Sequence, residues 1–89
     1  MDERTAGLAR QEGWHAEGRA ARVHYDGDGD RYGIEFYAET DSVLYWRVPG
    51  DGSTATPVAR DEVPDPLRDR IRADLTEAGI DPEIEAKSL

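Results

Sequence analysis

The chain has no cysteine among its 89 residues. That excludes a disulfide framework and any thiolate metal site. Lysine is almost missing too: Lys87 is the single one beside ten arginines. Apolar residues make up only 37%, below the roughly 45–50% usual for a globular domain even after allowing for glycine. No apolar run approaches the ~18 residues of a membrane span. The opening Met1-Asp2-Glu3-Arg4 lacks the basic and apolar regions of a secretory signal. These absences predict a soluble, cytoplasmic protein with no membrane partner. Catalytic signatures are missing as well: there is no Gly-rich phosphate loop, serine elbow or His-Glu helix motif. The sequence therefore argues against an enzyme and implies no cofactor.

Acid is abundant. Twenty Asp and Glu oppose the eleven cations, for a formal net charge of −9. Such a surplus repels itself in dilute buffer, whereas at ~1 M salt the Debye length falls to about 3 Å and most of that repulsion is screened. Acidic surface, one lysine and many small residues together point to a salt-rich cell interior. The preference for Arg, Ala, Gly and Asp also fits a GC-rich genome, an explanation that involves no protein physics.

The pattern along the chain predicts a single small α+β domain over 1–89. A short helix over 2–12 has Asp2 as its cap and Gly13 beyond its end. Alternation of apolar and polar residues then marks strands over 18–25, 31–39 and 43–48, with a weaker edge strand over 55–60 carrying Pro57. Turns fall at Gly27-Asp28-Gly29-Asp30, at Thr40-Asp41-Ser42 and at Pro49-Gly50-Asp51-Gly52. A helix over 66–78 begins at Asp65-Pro66, buries Leu67, Ile71, Leu75 and Ala78 on one stripe, and stops at Gly79. The expected architecture is a four-stranded antiparallel meander between two helices, with the amphipathic C-terminal helix on one sheet face. The core is expected over about 14–79, with 80–89 as a loosely ordered tail.

Turn lengths then suggest which residues oppose one another. A four-residue loop after Asp26 sets Tyr25 opposite Tyr32 and Arg22 opposite Glu35. A three-residue loop over 40–42 would set Phe36 opposite Trp46 and Glu35 opposite Arg47, placing Trp46 in the core. This register gathers Arg22, His24, Glu35, Tyr37, Tyr45 and Arg47 on the sheet face away from the helices. Tyrosine and arginine are enriched at interface hot spots, so these six are the candidate binding residues. A homodimer or an unidentified protein partner is the candidate occupant.

Other chemistry is less well supported. Asp26, Asp28 and Asp30 are the nearest thing to a metal site. Counted from Asp28, Gly33 and Glu39 occupy the positions a calcium loop requires, but Glu35 stands where an apolar residue is usual and the flanks are strands. Turn formation accounts for the Gly-Asp repeats without a metal, and no metal site is expected. The net charge opposes nucleic-acid binding, since affinity rests on phosphate neutralisation, and no RNA-recognition signature is present.

The stretch 13–48, with its Gly-Trp-His-Ala-Glu-Gly opening and Val-Leu-Tyr-Trp-Arg-Val strand, resembles small uncharacterised proteins of halophilic archaea. Those are free-standing domains of unknown function. The resemblance implies a high-salt habitat and transfers no activity or site residue. The expectation is a non-enzymatic interaction module, possible as a homodimer through the free sheet face. The competing reading is a small ligand-binding or enzymatic domain with a pocket between sheet and helix.

Overall fold

The alternating segments form a five-stranded antiparallel sheet with its strands in chain order. A computed structural model describes residues 2–26, 30–50 and 54–86. The strands are β1 (His15–Glu17), β2 (Ala20–Asp26), β3 (Asp30–Tyr37), β4 (Ser42–Pro49) and β5 (Thr56–Val58). Helix α1 (Glu3–Ala9) precedes the sheet and α2 (Asp65–Glu77) follows it.

The strand that was not foreseen is β1. Gly18 has φ of 61°, so Gly18 and Arg19 form a two-residue hairpin loop whose first position needs positive φ. His15 then pairs with Arg22 and Glu17 with Ala20. A strand over 18–25, as the alternation predicts, would run through this turn. Pro57 lies in β5 at the sheet edge, opposite Trp46.

The β2–β3 register is as the loop length predicts: Tyr25 faces Tyr32, Val23 faces Ile34 and Arg22 faces Glu35. The β3–β4 register differs. Phe36 faces Val43, Ile34 faces Tyr45 and Glu35 faces Leu44. The last pair, Tyr37 with Ser42, leaves a four-residue loop over 38–41. Asp41 makes this loop possible by taking φ of 48°, a left-handed conformation that aspartate tolerates better than most residues. Its carboxylate is held by Arg4 of α1, whose guanidinium also donates to the Ala38 carbonyl at 3.1 Å. The shift is odd-numbered, so it turns every β4 side chain to the other face. Val43 and Tyr45 are buried on the helix-covered face, at 4% and 3% exposure. Leu44, Trp46 and Val48 lie on the open face.

One core fills the covered side. Ala21, Val23, Ile34, Phe36, Val43 and Tyr45 of the sheet meet Leu8, Ile71 and Leu75 of the helices. Each fully buried aliphatic side chain contributes roughly 1.5–3 kcal/mol relative to exposure. Helix α1 is too short to stand alone. Asp2 caps it by accepting from the Arg4 backbone at 2.8 Å, and Leu8 docks it. A Cβ on Gly7 would come 3.3 Å from the Ala78 Cβ, so glycine lets α1 approach the end of α2 closely. Trp14 is buried, and its indole donates to Asp74 of α2 at 2.9 Å.

Helix α2 begins a residue earlier than expected, with Pro64 at the cap position. It ends at Gly79, whose φ is 79°. The Gly79 amide donates to Thr76 at 3.0 Å and the Ile80 amide to Leu75 at 2.9 Å. This paired closure, with Ile80 packed back onto the core, is the Schellman arrangement. Within the stretch 80–89, expected as a loosely ordered tail, Pro82–Ala86 forms a 3-10 segment with Ile84 and Glu85 buried. Leu89 lies outside the described residues.

Candidate interaction face

Tyr45 and Trp46 are neighbours in β4 and project to opposite faces of the sheet. Each donates its polar atom to a buried glutamate. Trp46 Nε1 donates to Glu35 at 2.6 Å on the open face, and Tyr45 Oη donates to Glu85 at 2.9 Å on the covered face. Amphipathic aromatics need such partners when half or fully buried, and here the two requirements organise two polar clusters.

On the open face the pairing builds a row of His15, Arg22, Glu35 and Leu44, and beside it a row of His24, Gly33, Trp46 and Pro57. A third row holds Glu17, Ala20, Tyr37 and Ser42. Glu35 is only 4% exposed although no element of the described residues packs over it. Arg22 binds it through one guanidinium nitrogen and donates to Glu17 at 2.9 Å through another. The hydrogen bond to Glu35 raises the Arg22 pKa above its ordinary value. Burial, followed by the nearby Glu35 charge, raises that of Tyr37. His24 is lowered, first by burial and then by Arg22 and Arg31.

A Cβ on Gly33 would meet the His24 ring at 3.4 Å and the Trp46 Cβ at 3.7 Å, ordinary contact distances, so the His24 ring lies close over the β3 backbone. A hollow of about 220 Å³ remains, lined by Arg22, His24, Gly33, Glu35, Trp46 and Val48. The strands' open-face charges come to two arginines, Arg22 and Arg31, against three acids, Glu17, Asp26 and Glu35. That balance of 2 − 3 = −1 contrasts with −9 for the whole chain.

Of the six expected binding residues, Arg22, His24, Glu35 and Tyr37 share this face. Tyr45 and Arg47 do not. The four-residue loop sends Tyr45 into the core, and Arg47 lies on the covered side opposite Tyr32 and Thr56. Trp46, expected in the core, takes the place assigned to them. Both alternating sets of β4, Val-Tyr-Arg and Leu-Trp-Val, contain large apolar groups, so alternation could not orient the strand. Of the aspartates weighed as metal ligands, Asp26 is paired with Arg31 at 3.2 Å, and Asp28 lies outside the described residues. No three His, Asp or Glu side chains among the described residues are grouped to hold a metal.

The covered-face cluster had no sequence signal beyond the residue types. The Glu85 carboxylate receives Arg60 Nε at 3.0 Å, Arg60 Nη2 at 2.7 Å and Arg72 Nη1 at 2.8 Å besides the tyrosine. Burial pushes its pKa up, but the hydrogen bonds from Arg60, Arg72 and Tyr45 outweigh that and hold it below the ordinary carboxylate value. Burial, followed by the carboxylate's demand for the phenolic proton, pushes Tyr45 far above the usual phenol range.

No described helix is long and apolar enough to cross a membrane. Comparison with curated proteins and with solved structures gave no match. A family match covers residues 5–87, taking in α2, most of α1, all five strands and both polar clusters, and the chain belongs to this family of unknown function, DUF7538.

Proposed function

We propose that the chain is a non-enzymatic interaction module of a salt-rich cytoplasm that pairs with a second copy of itself through the open sheet face. The observation carrying this reading is the half-exposed apolar row Leu44, Trp46 and Val48 beside the bound Glu35–Arg22 pair. Apolar groups clustered on an uncovered face favour association, and Trp and Arg are the residues that most often anchor it. Two copies at −9 each repel through most of their surfaces. The open face is close to neutral, and screening by concentrated salt lowers the remaining barrier. Both oxygens of Glu35 are occupied by donors, which suits recognition better than proton transfer.

Sedimentation in about 2 M KCl tests the reading. The expected result is a dimer that weakens as salt is lowered and becomes a monomer on Trp46→Arg. A monomer at high protein concentration in that salt overturns it. Folding stability should also rise steeply between about 0.1 and 2 M KCl. A flat response overturns the high-salt part alone.

The ligand-binding reading is favoured by one observation: a hollow of about 500 Å³ beside Glu85, lined by Val43, Tyr45, Val58 and Arg60. A thermal-shift screen of metabolites and divalent ions in high salt separates the two readings, because a bound ligand raises stability by mass action.

A further inference from the structure

Glu85 is held as a bound carboxylate ligand is held. Its side chain has 0% exposure. Arg60 grips both oxygens through Nη2 at 2.7 Å and Nε at 3.0 Å, Arg72 adds a donor at 2.8 Å and Tyr45 another at 2.9 Å. Forked guanidinium contacts of this kind are the strong, geometrically specific form of carboxylate recognition. The donors come from three places: β4, the 3-10 turn Arg60–Glu62 and α2. Tyr45 is fixed in the sheet and α2 by Ile71 and Leu75, both fully buried, so these do not rely on Glu85 for their position. Glu85 itself rides on a segment of five residues, and lifting so short a segment is a local opening, cheaper than global unfolding.

The hollow of about 500 Å³ opens directly beside this carboxylate. Val43, Leu44, Pro57 and Val58 give it an apolar wall, while Arg60 and Asp61 line it too. We propose that Arg60, Arg72 and Tyr45 form a binding site for a small organic carboxylate with an apolar body, and that Glu85 is its internal occupant, displaced as the ligand enters from the hollow. This deepens the ligand-binding reading and is independent of the open face. Exchanging one carboxylate for another leaves the charge of the cluster unchanged. Asp61 on the lining disfavours a dianion such as phosphate, and the apolar wall favours a few carbons of chain.

The test uses the full chain carrying Glu85→Ala, with butyrate titrated against KCl at constant ionic strength. Melting should rise saturably, by roughly 5–10 °C at ten times the dissociation constant, and less with acetate. No rise beyond the KCl control overturns the proposal. A rise as large with inorganic phosphate overturns the assignment to carboxylates. If the variant does not fold, the wild-type chain decides. Amide hydrogen exchange at Ile84, Glu85 and Ala86 should quicken in proportion to butyrate while that at Val23 and Ile34 stays unchanged. Exchange at 84–86 that ignores butyrate overturns the proposal. Loss of the open-face dimer in Trp46→Arg leaves both results unaffected, so the two readings fail separately.

Discussion

Glu35 and Glu85 are buried carboxylates on opposite faces of one sheet, each bound by an aromatic N–H or O–H from adjacent β4 residues and by arginine. They differ in what they connect. Glu35 takes Arg22 from the neighbouring strand, already its cross-strand partner. Glu85 draws in Arg60, Arg72 and Tyr45, separated from it by 25, 13 and 40 residues. Glu35 therefore braces a pairing that the backbone ladder already makes. Glu85 ties the 3-10 turn, α2 and the C-terminal segment to β4, while Arg72 also joins α2 to that segment through Glu83 and the Pro82 carbonyl. A buried carboxylate matters more to a fold when its partners lie far apart in the chain, because the loops it closes are longer, although that cost grows only logarithmically with length.

The strongest way to break this comparison is to remove each carboxylate. Taking one partner from a buried ion pair strands the other, at about 3–5 kcal/mol. Arg60 and Arg72 keep about a third of their exposure, so the expected cost of Glu85→Ala is about 2–3 kcal/mol. Glu35→Ala should cost about 1–2 kcal/mol, because Arg22 retains Glu17. Urea unfolding in high salt measures both. Equal losses would overturn the distinction drawn between the two sites.

Acid sharpens it. The Glu85 carboxyl titrates below its unfolded value of 4.5 in the folded chain. A depressed carboxylate contributes stability that is fully present above the unfolded pKa and is lost as pH falls through the folded one. Stability should thus decline below about pH 4.5, and the decline should be shallower in Glu85→Gln. Identical acid profiles would show that other carboxylates govern the transition.

The adjacent aromatics come next. Tyr45→Phe removes one hydrogen bond to a charged acceptor and is expected to cost about 1.5 kcal/mol, without altering sedimentation. Trp46→Phe removes the matching bond on the open face but keeps a large ring. It should destabilise by about 1 kcal/mol and weaken self-association. If Tyr45→Phe changed the dimer and Trp46→Phe did not, the faces assigned to β4 would have to be exchanged.

How much of this was legible in the sequence depended on whether a local rule was decisive. The stripe Leu67, Ile71, Leu75 and the stop at Gly79 admit one reading, and α2 forms there. Tyr25, Val23 and Ile34 likewise leave one acceptable register for β2 and β3. In β4 both faces are apolar, so orientation rested on a loop. The deciding fact was that Asp41, a residue without glycine's freedom, adopts φ of 48°. The packing of Pro82–Ala86 was illegible for a related reason. Among Ile80, Ile84 and many charges, nothing marks Glu85 as the one whose charge is met by two distant arginines. Arg22, His24, Glu35 and Tyr37 share the open face as expected because their register was fixed by apolar partners on the other side.

The smallest expected effect concerns His24, which shares the open face with Glu35 and has no counterpart near Glu85. Burial beside Gly33, then the Arg22 and Arg31 charges, depress its pKa below 6.5. For a base this means the folded chain resists protonation, whereas the unfolded chain accepts the proton near 6.5. The unfolded state thus binds more protons between the folded pKa and 6.5, and stability rises with pH across that window. It is fully present above it and lost as pH falls through it. The wild type should lose more stability than His24→Gln between about pH 7 and pH 5, a range above the one in which Glu85 acts. Urea midpoints at the two pH values give the comparison. A larger loss in His24→Gln would mean that the open face favours the protonated ring, and the charge balance assigned to that face would then be wrong.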